Sequence, residues 1–202
     1  MSKISLTALL LLVLSASPLR AQLLSIPEVA ASLDEAKSFH SVGDNIQAME
    51  SIWRAQELLW NSTPLGVRNV ALVSEPPESF GIYTPRVGED FRDGEPIILY
   101  FEPFGFTQVK SANGSYGYSL TVTTTILDIN GNIVGVEKNP TIWEKSGFRT
   151  FNVQSMLFTT LTLWGMPSGS YVMRVSVQDN NDPSKSVEME KNFNRLPDAN
   201  SN

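Results

Sequence analysis

Glu95-Pro96-Ile97-Ile98-Leu99-Tyr100-Phe101-Glu102-Pro103 and Tyr118-Ser119-Leu120-Thr121-Val122-Thr123-Thr124-Thr125-Ile126-Leu127-Asp128 decide the fold class. The first is a short apolar run bracketed by prolines. The second, reached through a glycine- and aromatic-rich loop, alternates and is full of β-branched side chains. Both read as strands. The first is apolar on both faces, Ile97, Leu99 and Phe101 against Ile98 and Tyr100. Such a strand is covered on both sides, and the expected covers are an opposite sheet and a helical hairpin. The second places Leu120, Val122 and Ile126 on one face.

The rest of the chain after residue 66 repeats this grammar. Val67–Val73 reads as a strand, broken by Ser74-Glu75-Pro76-Pro77-Glu78-Ser79 and followed by an irregular extended piece, Phe80–Arg86. Asp128-Ile129-Asn130-Gly131-Asn132 carries Asn-Gly, the strongest short hairpin signal, and Ile133–Glu137 returns from it. Phe148–Trp164 is long enough for two strands or one bent strand. Tyr171, Met173, Val175 and Val177 alternate against Val172, Arg174, Ser176 and Gln178, and Lys185–Phe193 closes the sheet. Seven or eight strands with frequent turns predict a mainly β chain, with an all-β sandwich over 63–196 and a polar tail over 197–202.

The phrase from Gly169-Ser170-Tyr171 through Val177-Gln178-Asp179 resembles the penultimate strand of immunoglobulin-like and fibronectin type III-like domains. A proline-glycine turn, that strand, an Asp-rich turn and a last strand also look like the C-terminal sandwich of several uncharacterised exported bacterial proteins. The resemblance covers Asp93–Pro197 and implies an immunoglobulin-like antiparallel sandwich. The disulfide and core Trp of antibody domains have no counterpart. A fold resemblance carries no function by itself.

The beginning of the chain carries an address. Lys3, the uncharged apolar run Ile4–Leu14, and Ser15-Ala16-Ser17-Pro18-Leu19-Arg20-Ala21 form the three regions of a secretory signal peptide over 1–21. The apolar run is too short for a bilayer, which needs about 20 residues. Cleavage is expected after Ala21, although Leu19 departs from the small-residue rule. Removing Lys3 and Arg20 takes the net charge from -6 to -8. No other apolar stretch is long enough to cross a membrane, so none is expected in the mature chain. The absence of cysteine speaks against a lipid-anchored start and against disulfides. It suits a bacterial periplasm.

Residues 22–62 read as a helical hairpin. Ser25, Pro27 and Glu28 make a helix start, Gly43 a stop, and Asp44 a second cap. Ile46, Met49, Ile52, Trp53, Leu59 and Trp60 recur at helical spacing. Ala36, Gly43-Asp44, Ala48 and Ala55 fall near the small-residue positions of a tetratricopeptide repeat, which the hairpin resembles. One such unit cannot bury its own face, so it is expected to dock on the sandwich or on a partner.

Chemistry is sparse. With 15 Lys and Arg against 21 Asp and Glu, nucleic acid is not an expected partner. One histidine, His40, and no cysteine exclude a Cys- or His-rich metal site, and no cofactor is expected. Asp128, Asn130 and Asn132, and Asp179, Asn181 and Asp182, cluster in turns, where such residues bond the local backbone. Glu95 and Glu102 differ by an odd number along a strand and face opposite sides, so they do not form an acid pair. Glu102 is expected to pair with Arg86. A glycan hydrolase using Glu102 is the weakest of the functional alternatives.

The candidate surface is the loop from Pro103 to Tyr118, with Phe104, Phe106, Tyr116 and Tyr118 and, beyond it, Trp143. Exposed aromatics beside amides suit a sugar ring or a protein hot spot. The competing reading puts the same rings in the core. The expected function is that of a non-enzymatic, periplasmic or secreted binding or scaffolding protein of the bacterial envelope, with a protein partner. The alternative is a carbohydrate-binding module that takes a polysaccharide on the aromatic loop.

Overall fold

The computed structural model describes residues 27–136 and 140–197. The expected signal peptide with its cleavage site near Ala21, the Ser25 cap and all of the tail but Pro197 lie outside the described residues. Two helices, α1 (Pro27–Ser41) and α2 (Asn45–Ser62), come first. The Asp44 side chain caps α2 by accepting from the Gln47 amide at 3.2 Å. Ten strands follow among the described residues: β1 (Gly66–Val73), β2 (Asp90–Phe91), β3 (Pro96–Phe104), β4 (Val109–Lys110), β5 (Tyr116–Asp128), β6 (Ile133–Val136), β7 (Thr141–Phe148), β8 (Leu157–Thr162), β9 (Gly169–Asp179) and β10 (Ser186–Arg195).

The strands form two sheets, one ordered β1-β3-β8 and the other β2-β10-β9-β5. All pairs are antiparallel except the short β2–β10 contact. β5 is long enough to serve several partners. Leu120 pairs with Asp179 of β9 on one edge and Trp143 of β7 on the other. β4 shares an edge with β9, and β6 extends the edge begun by β7. The core lies between the sheets, where Leu99, Phe101, Leu120, Val122, Val175 and Val177 are almost fully buried. The protein is therefore mainly β, an immunoglobulin-like sandwich preceded by a helical hairpin.

β3 is covered on both faces, but the helical hairpin is not the second cover. Ile97, Leu99 and Phe101 point into the intersheet core. Ile98 and Tyr100 pack with Val73, Tyr83, Met156 and Phe158. The irregular stretch after β1 supplies this lid: Tyr83 lies 4.2 Å from Tyr100 between ring centroids, and the Gly81 amide donates to the Tyr100 hydroxyl at 2.8 Å.

β7 was not expected: the stretch Phe148–Trp164, expected to hold two strands or one bent strand, contributes only Phe148 to it. The strand ends at Phe148, residues 149–156 are irregular, and β8 begins at Leu157. Among the described residues β7 pairs only with β5. An edge strand with one neighbour tolerates Glu144, Lys145, Ser146 and Gly147, which weaken its signal.

Candidate functional site

The helical hairpin is held by small residues. Ser32 and Ala36 of α1 meet Ala48, Ser51 and Ala55 of α2, and these are the buried positions of the pair. Small side chains let the helices approach closely, so the larger apolar ones remain outside. Arg54 of α2 reaches Glu35 of α1 at 2.8 Å, and His40 Nδ1 lies 2.9 Å from Asn45 Oδ1 near the tip.

On one side of the pair, Leu33, Ala36, Ala48, Met49 and Ile52 line an apolar groove of about 520 Å³, with Lys37, His40 and Asn45 also at its border. Leu33, Met49 and Ile52 are each more than 40% exposed, and Val42 and Ile46 at the tip exceed 70%. Single exposed apolar residues are ordinary on a protein surface. A contiguous set on one helix pair is not.

The helical hairpin meets the sandwich at its base. The Trp60 ring stands edge-on to Phe106 at 5.0 Å and to Phe151 at 5.9 Å. Leu65, just after α2, enters the core. Above this junction α2 and the sandwich diverge, leaving a second groove of about 680 Å³. Trp53 from α2, Tyr116 from β5 and Phe151 from the irregular 149–156 stretch contribute its aromatic lining. Tyr116 and Phe151 stand edge-to-face at 5.9 Å, and Lys110 Nζ lies 5.4 Å from the Tyr116 ring centroid.

The five aromatic residues singled out from the sequence are not brought together on one surface. Phe106 is fully buried, and Tyr118 nearly so, their rings 4.4 Å apart. Phe104 is half-buried and lies over Gly66, its cross-strand partner. Trp143 is half-buried at the sandwich edge, 5.4 Å from Phe158. Its indole nitrogen is buried without a hydrogen-bond partner among the described residues. Tyr116 alone lines a large groove. Trp53 and Phe151 join it there. Trp53 was legible only as one more member of the α2 period, and Phe151 as a strand residue.

Tyr118 donates to or accepts from Ser155 at 2.5 Å, and burial pushes its phenol pKa up while this bond pulls the other way.

Glu102 belongs to a buried polar cluster. Its Oε2 accepts from Arg68 Nε at 3.0 Å and Asn69 Nδ2 at 2.9 Å, and its Oε1 accepts from the Tyr100 hydroxyl at 2.7 Å. The expected partner Arg86 instead reaches Glu95 at 2.7 Å and lies over the Phe91 ring. The cause is a bulge between Arg68 and Ala71, where Asn69 adopts φ 53 and turns its amide toward the carboxylate. Tyr100 titrates at about 12, raised first by burial and then by its bond to Glu102. Both oxygens of Glu102 are occupied and the side chain is nearly inaccessible, a geometry that suits packing rather than proton transfer to a substrate.

The two Asp/Asn turns spend their carboxylates on the backbone. Asp128 accepts from the amides of Asn130 and Asn132, and Asp179 accepts from those of Asn181, Asp182 and Thr107. No group of three potential metal-binding side chains occurs among the described residues. No helix among them is long and apolar enough to cross a membrane.

No protein-family model and no curated protein matches this chain. Solved structures show partial similarity. A CARDB domain from Pyrococcus furiosus is 12% identical with a TM-score of 0.33, over 66% of this chain and 90% of that one. An alkylpurine DNA glycosylase of Pseudomonas fluorescens is 14% identical with a TM-score of 0.32, over 86% of this chain and 43% of that one. A β-glucosidase from Listeria innocua is 10% identical with a TM-score of 0.32, over 66% of this chain and 16% of that one.

Proposed function

We propose that this chain is an exported, non-enzymatic binding module of the bacterial envelope that docks an amphipathic helix of a partner protein on its helical hairpin. The observation that carries this reading is the open apolar groove formed by Leu33, Ala36, Ala48, Met49 and Ile52. Its small-residue floor and bulky rims offer the ridge-and-groove relief that a third helix packs into. Export and a periplasmic location rest on Lys3, the Ile4–Leu14 run and Ala21.

The magnitudes are compatible with stable docking. Fully covering one large apolar side chain contributes about 1.5–3 kcal/mol. Several such side chains offset an association cost of about 4–15 kcal/mol.

The test is a photocrosslinking residue placed at Ile52, with a second at Thr123 on the outer face of the large sheet as control. The adduct from Ile52 in the intact envelope should join a single different protein through a helical segment and disappear in Met49→Glu. An adduct of two copies of this chain, or equal labelling from Thr123, overturns the reading. The carbohydrate alternative is weaker, because Phe106 and Tyr118 spend their rings in the core.

A further inference from the structure

We propose a second binding site, independent of the helical hairpin's apolar groove: the cleft between α2 and the sandwich binds a short extended peptide that carries both a carboxylate and an ammonium group. The cleft, at about 680 Å³, falls within the range of small-ligand pockets, about 300–1,000 Å³. Its two walls have opposite charge. The sandwich side supplies Lys110 and Arg149, and α2 supplies Glu50 and Glu57 together with Arg54, whose charge is met by Glu35 of α1.

No ion pair crosses the cleft among the described residues, although oppositely charged groups line both sides. Arg54, also on α2, is engaged by Glu35 of α1. Lys110 lies over the Tyr116 ring, and Arg149, Glu50 and Glu57 have no ion-pair partner among the described residues. With no ion pair joining the two walls, these charged groups remain available to a ligand inserted between α2 and the sandwich.

The lining between the walls is aromatic: Trp53, more than half exposed, with the edge-to-face pair Tyr116 and Phe151. Such rings cover the apolar parts of a peptide at low entropic cost, and the charged walls set its direction. A neutral sugar would use the rings but neither wall. A polyanion would meet Glu50 and Glu57.

The test uses the full chain and isothermal titration calorimetry. The probe is the tetrapeptide Ala-Glu-Lys-Ala, acetylated and amidated so that only its side chains are charged. The controls are Ala-Gln-Gln-Ala, capped in the same way, and the neutral sugar chitotetraose. The expected result is saturable binding of the charged peptide with Kd near or below about 1 mM, and binding at least about tenfold weaker for both controls. The pair Lys110→Gln with Arg149→Gln, and separately the pair Glu50→Gln with Glu57→Gln, should each weaken the charged peptide about tenfold. Thermal unfolding should be unchanged, because all four side chains lie at the surface of the cleft.

Equal binding of the neutral peptide, preference for chitotetraose, or indifference to both double substitutions would each overturn the proposal. So would absence of binding in a protein whose unfolding transition is intact. The Ile52 crosslink is read on the other groove, so the two sites succeed or fail separately.

Discussion

The Trp60 indole N–H donates to the Phe106 backbone carbonyl at 2.8 Å, which ties α2 to the end of the sandwich. The same Trp60 ring packs edge-on against the Phe106 side chain. Trp60→Phe keeps an aromatic ring and loses the bond. It should cost about 1 kcal/mol in urea unfolding. Trp60→Ala loses both and should cost about 3 kcal/mol. An unchanged midpoint in Trp60→Ala would show that the helical hairpin is not fastened here.

The Glu102 cluster predicts an order of severity. Glu102→Ala strands the Tyr100 hydroxyl and the Asn69 amide beside a cavity and should cost about 3 kcal/mol or more. Tyr100→Phe leaves the Gly81 amide and one carboxylate oxygen unpaired, for about 1–2 kcal/mol. Arg68→Met removes the cation of a buried carboxylate but leaves its bonds to Asn69 and Tyr100, and should cost less than Glu102→Ala, about 1–2 kcal/mol, because the Arg68 side chain itself is more than half exposed. Denaturant midpoints for the three variants test the ranking. A larger loss for Arg68→Met than for Glu102→Ala would contradict it.

Tyr100 also predicts an alkaline weakness. Its pKa stands at about 12 in the folded chain against 10.0 for the free side chain. Above pH of about 10 the unfolded chain releases this proton while the folded chain still holds it, so stability falls as pH rises toward about 12. Tyr118, raised by burial, adds to the decline with the same sign. Urea midpoints at pH about 8 and about 11 should differ less in Tyr100→Phe than in the parent. An equal drop would mean that Tyr100 does not carry the effect.

Gly66 and Phe104 are cross-strand partners, and the Phe104 ring occupies the space above the glycine. A Cβ at residue 66 would meet Phe104 Cζ at 2.3 Å. Gly66→Ala should therefore swing the ring outward and cost about 1–3 kcal/mol, the usual range for overpacking. Nuclear Overhauser contacts from Phe104 to residue 66 should weaken in the variant. A ring that stays in place would show that the strand gives way instead.

The strands with one buried and one outer face were the most legible. β9 and β10 announce themselves by alternation, broken at Val172 and Lys191, because a strand with one solvated face favours a switch of polarity at each residue. Asp44 was legible as a cap because its side chain acts on the amide three residues on. β7 was not, since an edge strand needs less apolar surface. The partner of Glu102 was hidden for a different reason. It depends on the bulge at Asn69, which shifts which side chains face one another.

The sequence by itself determined the mainly β class, the order of the helical hairpin before the sandwich, and the two-sided burial of β3. Each of these follows from local period and polarity. Only the tertiary structure decided which aromatics are surface and which are core. Phe106 and Tyr118 vanish inside, while Tyr116, two residues from Tyr118, lines a cleft with Trp53 and Phe151. Rings have no intrinsic preference strong enough to reveal this. Their burial depends on where α2 comes to rest against the sandwich, and that is set by contacts between residues far apart in the chain.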